Sequence, residues 1–338
     1  MPHSPFGCTC TGRRHFLRTL MATCAALPTL SWPRSAKAAE TVRIGYPTSD
    51  HYAPVFLARQ RQYFERAGLN VEYKAFATGG PVIEGLTSRS LDVGFMGTPG
   101  IISVARGFAM TGVMGMALEG SGLLAREDGI EKIEGLAGKR VGMPAKGSIA
   151  HLLLLRALTR ANVDPGSVRI VEIRDVDGIR VGLQRGEIDA AAIWEPWVYQ
   201  LEQSQGIRRL ALSHDIWPSH QCDLMWVGNT FLKERPDTVK AVIDGVLQGM
   251  QYIRQNFASS ADTVASALGV AKNIESHSME RQQFTHLLQQ ENITDQYQLL
   301  AKLNIVKESE IPAWGRLVNE PMYEYAKTKW QAVANTKT

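Results

Sequence analysis

The chain has 338 residues, of which 44% are hydrophobic and 21% are charged, as in one or two globular domains with sizeable cores. These values exclude a disordered or fibrous chain. The formal net charge of +4 comes from residues 1–39, where five basic residues meet no acidic one. The rest of the chain is close to neutral, so nothing in it points to nucleic-acid binding and we expect none.

Residues 1–39 are predicted to be a twin-arginine-type export signal. The pair Arg13-Arg14 precedes Phe16-Leu17, and an apolar stretch from Thr19 to Leu30 leads to the small-residue pattern at Ala36–Ala38. About 12 apolar residues are too few for a membrane anchor, which needs about 20. We therefore expect export to the periplasm.

The cysteines bear on the fate of this signal. Lipidation at Cys24 is an alternative to cleavage, although Met21-Ala22-Thr23 before it matches a lipoprotein signal poorly. Cys8 and Cys10 also lie in the predicted signal, so Cys222 is the only cysteine beyond it. No intramolecular disulfide is expected in the exported chain.

From residue 41, short β-branched runs alternate with helical stretches, which is typical of βαβ units and a largely parallel sheet. The first series ends near residue 106. Its predicted strands are Val42–Tyr46, Asn70–Ala75 and Leu91–Met96, and its predicted helices are Ala53–Ala67, Val82–Ser88 and Ile101–Arg106.

A second βα series begins after Gly135, and mostly helices follow residue 223, including one from Pro236 to Asn256. Chain crossings near 122–127 and 214–226 divide the chain into two lobes. Lobe one is residues 40–125 and 224–338, and lobe two is residues 126–223. No internal repeat of fixed period is evident. The predicted elements of the second series are strands Arg140–Met143, Val168–Ile173 and Ala190–Trp194, with helices over Ser148–Ala161 and through Leu183.

Six segments resemble the nitrate, sulfonate and taurine group of periplasmic substrate-binding proteins of ABC importers. Each segment is a common pattern by itself, and the shared order and spacing carry the resemblance. The segments are Ile44-Gly45-Tyr46, Phe64–Val71, Leu91–Gly94, Leu136–Gly142, Arg185–Ala190 and Trp194-Glu195-Pro196.

The resemblance implies an α/β, two-lobed periplasmic-binding-protein-like fold of type II, with two mixed sheets, flanking helices and a hinge cleft. It also implies a solute-binding component that delivers a small molecule to the ABC permease in the inner membrane. We expect a monomer without a cofactor. Nitrate, bicarbonate and pyrimidine precursors all suit the family, and we favour a sulfonate- or taurine-like organic anion.

Ligands of open α/β sheets bind at the carboxyl ends of strands, where helix amino termini present free N–H groups. Loops after the first, third and fourth predicted strands have that placement. The candidate ligand-binding residues in and near these loops are Thr48, Asp50, Tyr52, Gly97, Thr98, Gly147, Ser148, His151, Trp194, Glu195 and Cys222.

Several of these candidates have a second interpretation. Thr98 and Ser148 either donate to an anion or only cap their helices. His151 shares the face of Ser148 one turn into its helix, and either donates to the ligand or packs elsewhere. In the family, the position of Glu195 can face the cleft; the alternative is that Glu195 caps the helix that begins at Pro196.

Other chemistries find weaker support. The run Ser219–Asp223 contains metal-ligand types, including His220 and Cys222, but its spacing is not that of a closed zinc site. We therefore expect no metal and interpret the run as a hinge segment that lines the pocket. Gly142–Ser148 lacks the lysine of a phosphate-binding loop. Met110, Met114 and Met116 are interpreted as gap-fillers on a buried, irregular segment and not as a soft-metal site.

Enzymes on the same scaffold include a desulfinase and pyrimidine-forming enzymes. Those carry cysteines that the first loop here lacks, since it reads Thr48-Ser49-Asp50. No motif pairs a nucleophile with a base. We therefore predict a binding protein without catalysis, with such an enzyme or a receptor-contacting sensor as alternatives.

Overall fold

The computed structural model describes residues 40–334. The predicted export signal, residues 1–39, lies outside the described residues, as do residues 335–338. In the described part, the strands are β1 Glu40–Pro47, β2 Leu69–Phe76, β3 Val93–Met96, β4 Met110–Glu119, β5 Ser121–Arg126, β6 Arg140–Met143, β7 Arg169–Glu172, β8 Ala190–Trp194, β9 Ile207–Leu212, β10 Gln221–Gly228 and β11 Gln282–Phe284.

The helices lie between and after these strands and become dominant beyond β10. Among residues 40–334, no helix combines the length and the apolar character that a membrane span requires. The helices are α1 Ala53–Gln60, α2 Tyr63–Arg66, α3 Gly80–Thr87, α4 Thr98–Ala105, α5 Ile149–Arg160, α6 Val176–Arg185, α7 Trp197–Glu202, α8 Ser213–Ile216, α9 Asn229–Glu234, α10 Pro236–Gln255, α11 Phe257–Leu268, α12 Lys272–Met279, α13 Gln290–Lys302, α14 Trp314–Leu317 and α15 Glu320–Ala334.

The strands form two mixed sheets, as predicted. The first has the order β11-β4-β10-β3-β1-β2, with β1 parallel to β2 and β3, and with antiparallel pairing from β3 through β10 and β4 to β11. The second has the order β7-β6-β8-β5-β9, with β6 parallel to β7 and β8, and with β5 antiparallel to both of its neighbours.

Each sheet contains the same β-α-β-α-β unit, with order β2-β1-β3 in one and β7-β6-β8 in the other. In both units an aspartate before the last strand binds an arginine on the first strand. Asp92 accepts the backbone N–H and the guanidinium of Arg43, and Asp189 does the same for Arg140, with Nη2 to Oδ1 distances of 2.7 Å in each pair. We call these pairs the Arg–Asp clamps. The two units therefore correspond in strand order and in this one pair, which the sequence analysis did not detect.

Apolar side chains from both sheets share the largest core. Met96 of β3 and Ile102 of α4 belong to the same buried cluster as Val141 of β6 and Leu153 of α5. Separate cores lie under α1 and α10 against the first sheet, and under α6 and α7 against the second. Both sheets therefore contribute side chains to one common core.

Two predicted elements differ from the structure. The helix predicted over Ala53–Ala67 is interrupted at Gln62, whose left-handed backbone (φ 56°) ends α1 and begins α2. Met110, Met114 and Met116 are buried, as predicted, but they lie on a strand, β4, whose pairing with β10 contains register shifts. Because both faces of β4 are buried, its apolar run does not alternate with polar residues.

The chain passes from the first sheet to the second at Gly120 and returns through residues 213–220. Glu119 and Gly120 both have left-handed backbone, which reverses the path between β4 and β5. Each passage lies a few residues before the predicted lobe boundary. The division into two lobes that move relative to each other stays a prediction.

Candidate ligand-binding site

A cavity of about 560 Å³ lies where the carboxyl ends of strands from both sheets meet. We call it the strand-end cavity. Its walls come from six strand ends and from the start of β10. They include Ser49, His51 and Tyr52 after β1, Ala77–Pro81 after β2, Met96–Pro99 at β3, Pro144–Ile149 after β6, Glu172 and Arg174 at β7, Trp194 at β8, and Cys222 and Asp223 on β10.

The structure brings seven of the predicted ligand-binding residues to this cavity. They are Tyr52, Gly97, Thr98, Gly147, Ser148, Trp194 and Cys222. Four others do not line it. They are Thr48, Asp50, His151 and Glu195. The difference arises because neighbouring residues of the first loop point in different directions, and because two of the candidates hold their own loops in place.

Thr48 and Asp50 point away from the cavity. The Thr48 hydroxyl donates to the carbonyl of Phe76 at 3.3 Å, and the Thr48 carbonyl accepts from the indole N–H of Trp194 at 3.4 Å. Asp50 is fully buried and accepts a hydrogen bond from Ser278. In their place, Ser49 and His51 of the same loop face the cavity.

Glu195 is fully buried, and its carboxylate accepts the backbone N–H of Tyr199 at 2.9 Å and a hydrogen bond from Arg281 at 3.2 Å. This contact supports the helix-capping interpretation, since Tyr199 lies in the first turn of α7. His151 Nδ1 accepts the backbone N–H of Gly147 at 3.0 Å. Burial and the nearby Lys146 lower the pKa of His151 to about 4, so a neutral imidazole positions Gly147.

The amino terminus of α5 opens onto the cavity. The predicted cap at Ser148 is confirmed, since its hydroxyl accepts the N–H of His151 at 3.4 Å. The same hydroxyl donates its proton to the Ala145 carbonyl at 2.7 Å. The first-turn N–H groups of Ile149 and Ala150 have no intrahelical acceptor. The anion-binding capacity of this loop therefore resides in those N–H groups and the helix dipole.

The predicted cap at Thr98 is wrong. Gly97 occupies the cap position of α4, and the buried Thr98 hydroxyl donates to the side chain of Gln296 at 3.1 Å. A Cβ atom at position 97 would lie 2.2 Å from the Cys222 carbonyl oxygen, so the approach of β10 requires glycine there. Thr98 contacts the cavity, but its hydroxyl proton is engaged elsewhere.

A buried polar cluster forms the cavity wall beside β10. His51 Nδ1 lies 2.9 Å from Asp223 Oδ2 and 3.7 Å from Cys222 Sγ, and Tyr52 donates to Asp223 Oδ1 at 2.6 Å. His51 Nε2 lies 3.1 Å from the Gly120 carbonyl. The ligating atoms of His51, Cys222 and Asp223 all lie within 4.8 Å of one another. These three side chains are the group in the described part of the chain that could hold a metal ion.

Hydrogen bonding fixes the protonation of this cluster. Both nitrogen atoms of His51 face acceptors, so the ring donates twice. Burial opposes a charge on His51, but the neighbouring Asp223 carboxylate holds its pKa above the usual value. Burial raises the pKa of the Cys222 thiol to about 12, so the thiol stays protonated.

The cavity also carries cationic side chains. Arg106 donates to the Ile305 carbonyl at 3.0 Å, and Lys146 Nζ lies 3.7 Å from Glu172 Oε1. The exposed guanidinium of Arg174 has no hydrogen-bond or ion-pair partner among the described residues. Arg174 is therefore the cation in this lining that is free to contact an anion.

Sequence reasoning identified the first loop and the run Ser219–Asp223 as pocket segments, but it did not list His51 or Asp223 among the ligand-binding residues, and it missed Arg174. Arg174 directly follows a strand that was predicted over Val168–Ile173, so the strand-end rule used for the other loops could have found it. His51 and Asp223 are 172 positions apart by their numbers in the chain. No local spacing in the sequence predicts their contact. The contact exists because β10 pairs with β3 in the sheet.

Behind the first loop, three carboxyl groups share one buried region. Asp50, Glu195 and Glu275 are each fully buried. Asp50 Oδ1 and both carboxyl oxygens of Glu275 have no hydrogen-bond partner among the described residues. Burial, followed by the charges of neighbouring carboxylates, raises the pKa of Glu275 to about 10 and that of Glu195 to about 7.

A family model described as the NMT1-like family matches residues 35–269. The chain belongs to the NMT1-like family. This NMT1-like chain is 29% identical over 215 residues to the taurine-binding periplasmic protein of Escherichia coli. The match covers 63% of this chain and 66% of the Escherichia coli protein, which is just under two thirds of its length. It is 25% identical to a putative aliphatic sulfonates-binding protein of Bacillus subtilis, covering 70% and 73% of the two chains.

Solved structures share the fold of this NMT1-like protein. The periplasmic nitrate-binding protein NrtA from Synechocystis has a TM-score of 0.78 at 13% identity, covering 86% of this chain and 89% of that one. The desulfurization enzyme DSZB has a TM-score of 0.65 at 17% identity, covering 87% and 99%. The predicted family resemblance and the predicted periplasmic-binding fold are confirmed, and the fold is one that binding proteins and an enzyme both use.

Proposed function

We propose that this protein is the extracytoplasmic solute-binding component of an ABC importer, and that it captures a small organic anion of the sulfonate or taurine class in the strand-end cavity. The observation that carries the proposal is the meeting of Arg174 with the amino terminus of α5 in one partly apolar cavity. The taurine- and sulfonate-binding relatives support the same ligand class.

The polar groups suit an oxyanion head. The first-turn N–H groups of α5 and the guanidinium of Arg174 are donors, and a sulfonate accepts several hydrogen bonds in different directions. Hydrogen bonds to a charged group contribute more than neutral ones, at about 1.5–3 kcal/mol each. The head group is therefore expected between the loop 144–149 and Arg174.

The apolar groups suit an organic tail. Ile83, Met96 and Ile102 line the same cavity, beside Trp194. A cavity of about 560 Å³ lies in the size range of small-molecule sites, which is about 300–1,000 Å³, and is far larger than a bare nitrate or bicarbonate ion. This size favours the sulfonate class over the inorganic anions. Trp194 also offers a face to a planar ring, which keeps a pyrimidine precursor as the second candidate.

The geometry gives no support to catalysis. Cys222 is a protonated thiol, and both nitrogens of its neighbour His51 are engaged, so no free base is present to activate it. We propose binding without chemistry. Export by the twin-arginine route and delivery to an inner-membrane permease complete the proposal, on the support of the Arg13-Arg14 motif and the periplasmic relatives.

The test is calorimetry and thermal unfolding of the purified chain with taurine, alkanesulfonates of increasing length, nitrate, bicarbonate and a pyrimidine. We expect a sulfonate to bind and raise the melting temperature. The change Arg174→Gln is expected to weaken binding about tenfold or more, because it removes a charged donor. A sulfinate incubated with the protein is expected to yield no product.

Arg169→Gln is the matched control, since Arg169 is exposed and lies at the opposite end of the same strand β7. It is expected to leave affinity unchanged. Binding of nitrate alone would reject the ligand class. Equal affinity in Arg174→Gln and Arg169→Gln would reject the site, and turnover of the sulfinate would replace the binding function with an enzymatic one.

A further inference from the structure

His51, Cys222 and Asp223 form one wall of the strand-end cavity. The proposed anion binding gives these three side chains no role. The three residues offer one nitrogen, one sulfur and one oxygen ligand atom, and each side chain is more than nine-tenths buried. All three also line the cavity. A mixed N, S and O set is the ligand combination of zinc sites.

The distances fit a tetrahedral ion. Metal–ligand bonds of about 2.0–2.3 Å place tetrahedral ligand atoms about 3.3–3.7 Å apart. His51 Nδ1 lies 3.7 Å from Cys222 Sγ and 2.9 Å from Asp223 Oδ2. An ion therefore needs an opening of about 0.5 Å between the ring and the carboxylate.

Outer contacts already hold the ligand side chains in orientation. A metal-bound histidine usually donates its other ring N–H to a carbonyl or carboxylate. His51 Nε2 makes that contact to the Gly120 carbonyl at 3.1 Å, and Tyr52 holds the second oxygen of Asp223 at 2.6 Å. Gly120 permits the approach, since a Cβ atom there would lie 2.3 Å from His51 Nε2.

We infer that His51, Cys222 and Asp223 bind a divalent transition-metal ion of the zinc class, with the fourth coordination position facing the strand-end cavity. Sites with three protein ligands and one open position bind a further small molecule at the metal. The inference does not depend on which anion the cavity takes, because metal binding is measured with the metal alone.

The test is titration of the purified full-length chain with Co²⁺, in a background where Cys8, Cys10 and Cys24 are changed to serine to remove the other thiols. We expect one equivalent to produce a thiolate-to-cobalt charge-transfer band and the visible bands of tetrahedral cobalt. Zn²⁺ is expected to bleach both and to raise the melting temperature.

Cys222→Ser and Cys222→Ala are expected to abolish the charge-transfer band, and Asp223→Asn to weaken cobalt binding about tenfold or more, as losses of metal ligands do. Circular dichroism of each variant verifies its fold. Ser103→Ala is the control and is expected to retain the band, because Ser103 lines the same cavity and its hydroxyl donates to the Pro99 carbonyl and not to the ligand set. Absence of the band in the parent protein, or its persistence in a folded Cys222 variant, would overturn the inference.

Discussion

At the scale of single residues, the unusual feature is one buried carboxyl group without a hydrogen-bond partner. Glu275 is fully buried and has no hydrogen-bond partner among the described residues. Its pKa of about 10 means that the folded protein keeps a proton that the unfolded chain releases above the ordinary pKa of 4.5. The free energy of unfolding therefore falls as the pH rises between these values, by at most about 1.4 kcal/mol per pH unit.

Glu275→Gln removes this pH dependence while preserving the shape of the side chain. We expect the melting temperature of the variant, relative to the parent, to increase steadily from pH 5 to pH 8, by about 3 °C or more in total. Thermal unfolding across this pH series measures the effect.

Glu308→Gln is the control for Glu275→Gln, because Glu308 is exposed to solvent. It should follow the parent protein at every pH. A constant difference between Glu275→Gln and the parent would show that Glu275 is ionised in the folded protein, contrary to the structure.

At the scale of secondary-structure elements, the two Arg–Asp clamps tie the first strand of each unit to the segment before its third strand. Each aspartate accepts one backbone N–H and two guanidinium contacts. Because both clamps serve equivalent units, loss of either should destabilise the protein in the same direction.

Asp92→Asn and Asp189→Asn are each expected to lower the melting temperature by about 3 °C or more, since the arginine loses a charged bidentate acceptor. Differential scanning calorimetry compares them with Asp237→Asn. Asp237 is exposed and pairs with Lys240 along a single helix, where such a pair contributes little. If the melting temperature decreased no more than in Asp237→Asn, the Arg–Asp clamps would not stabilise the protein.

Most elements of the first 200 residues could be predicted, because the local sequence pattern identifies each βαβ unit. For example, β6, α5 and β8 begin and end within one residue of their predicted bounds. Strand β4 could not, since burial of both of its faces removes the alternation that identifies a strand. The site was predictable only where a loop follows a strand. Ser148 was found in this way, whereas the contact between His51 and Asp223 depends on the order of strands in the sheet.

At the scale of the whole molecule, the proposed function requires the halves around the strand-end cavity to open and close. Contacts across the cavity already exist in the structure. A Cβ atom on Gly147, in the loop before α5, would lie 3.0 Å from Ile102 of α4. A ligand that touches both walls would favour this closed arrangement over an open one.

The sulfonate that binds in the calorimetric test is expected to reduce the radius of gyration of the protein. It is also expected to slow hydrogen exchange in both the loop 47–52 and the loop 144–149. Small-angle scattering and exchange mass spectrometry measure the two effects. Arg174→Gln at the same ligand concentration should show both effects only partly. Unchanged scattering with tight binding would mean a preformed pocket and would reject closure.

The walls of the strand-end cavity come from separate loops. Each loop follows a different strand of the two sheets. A substitution in one loop thus alters one patch of wall and leaves the others and both sheets intact. The ligand specificity of such a protein can therefore change through substitutions in one loop at a time, while the fold is retained.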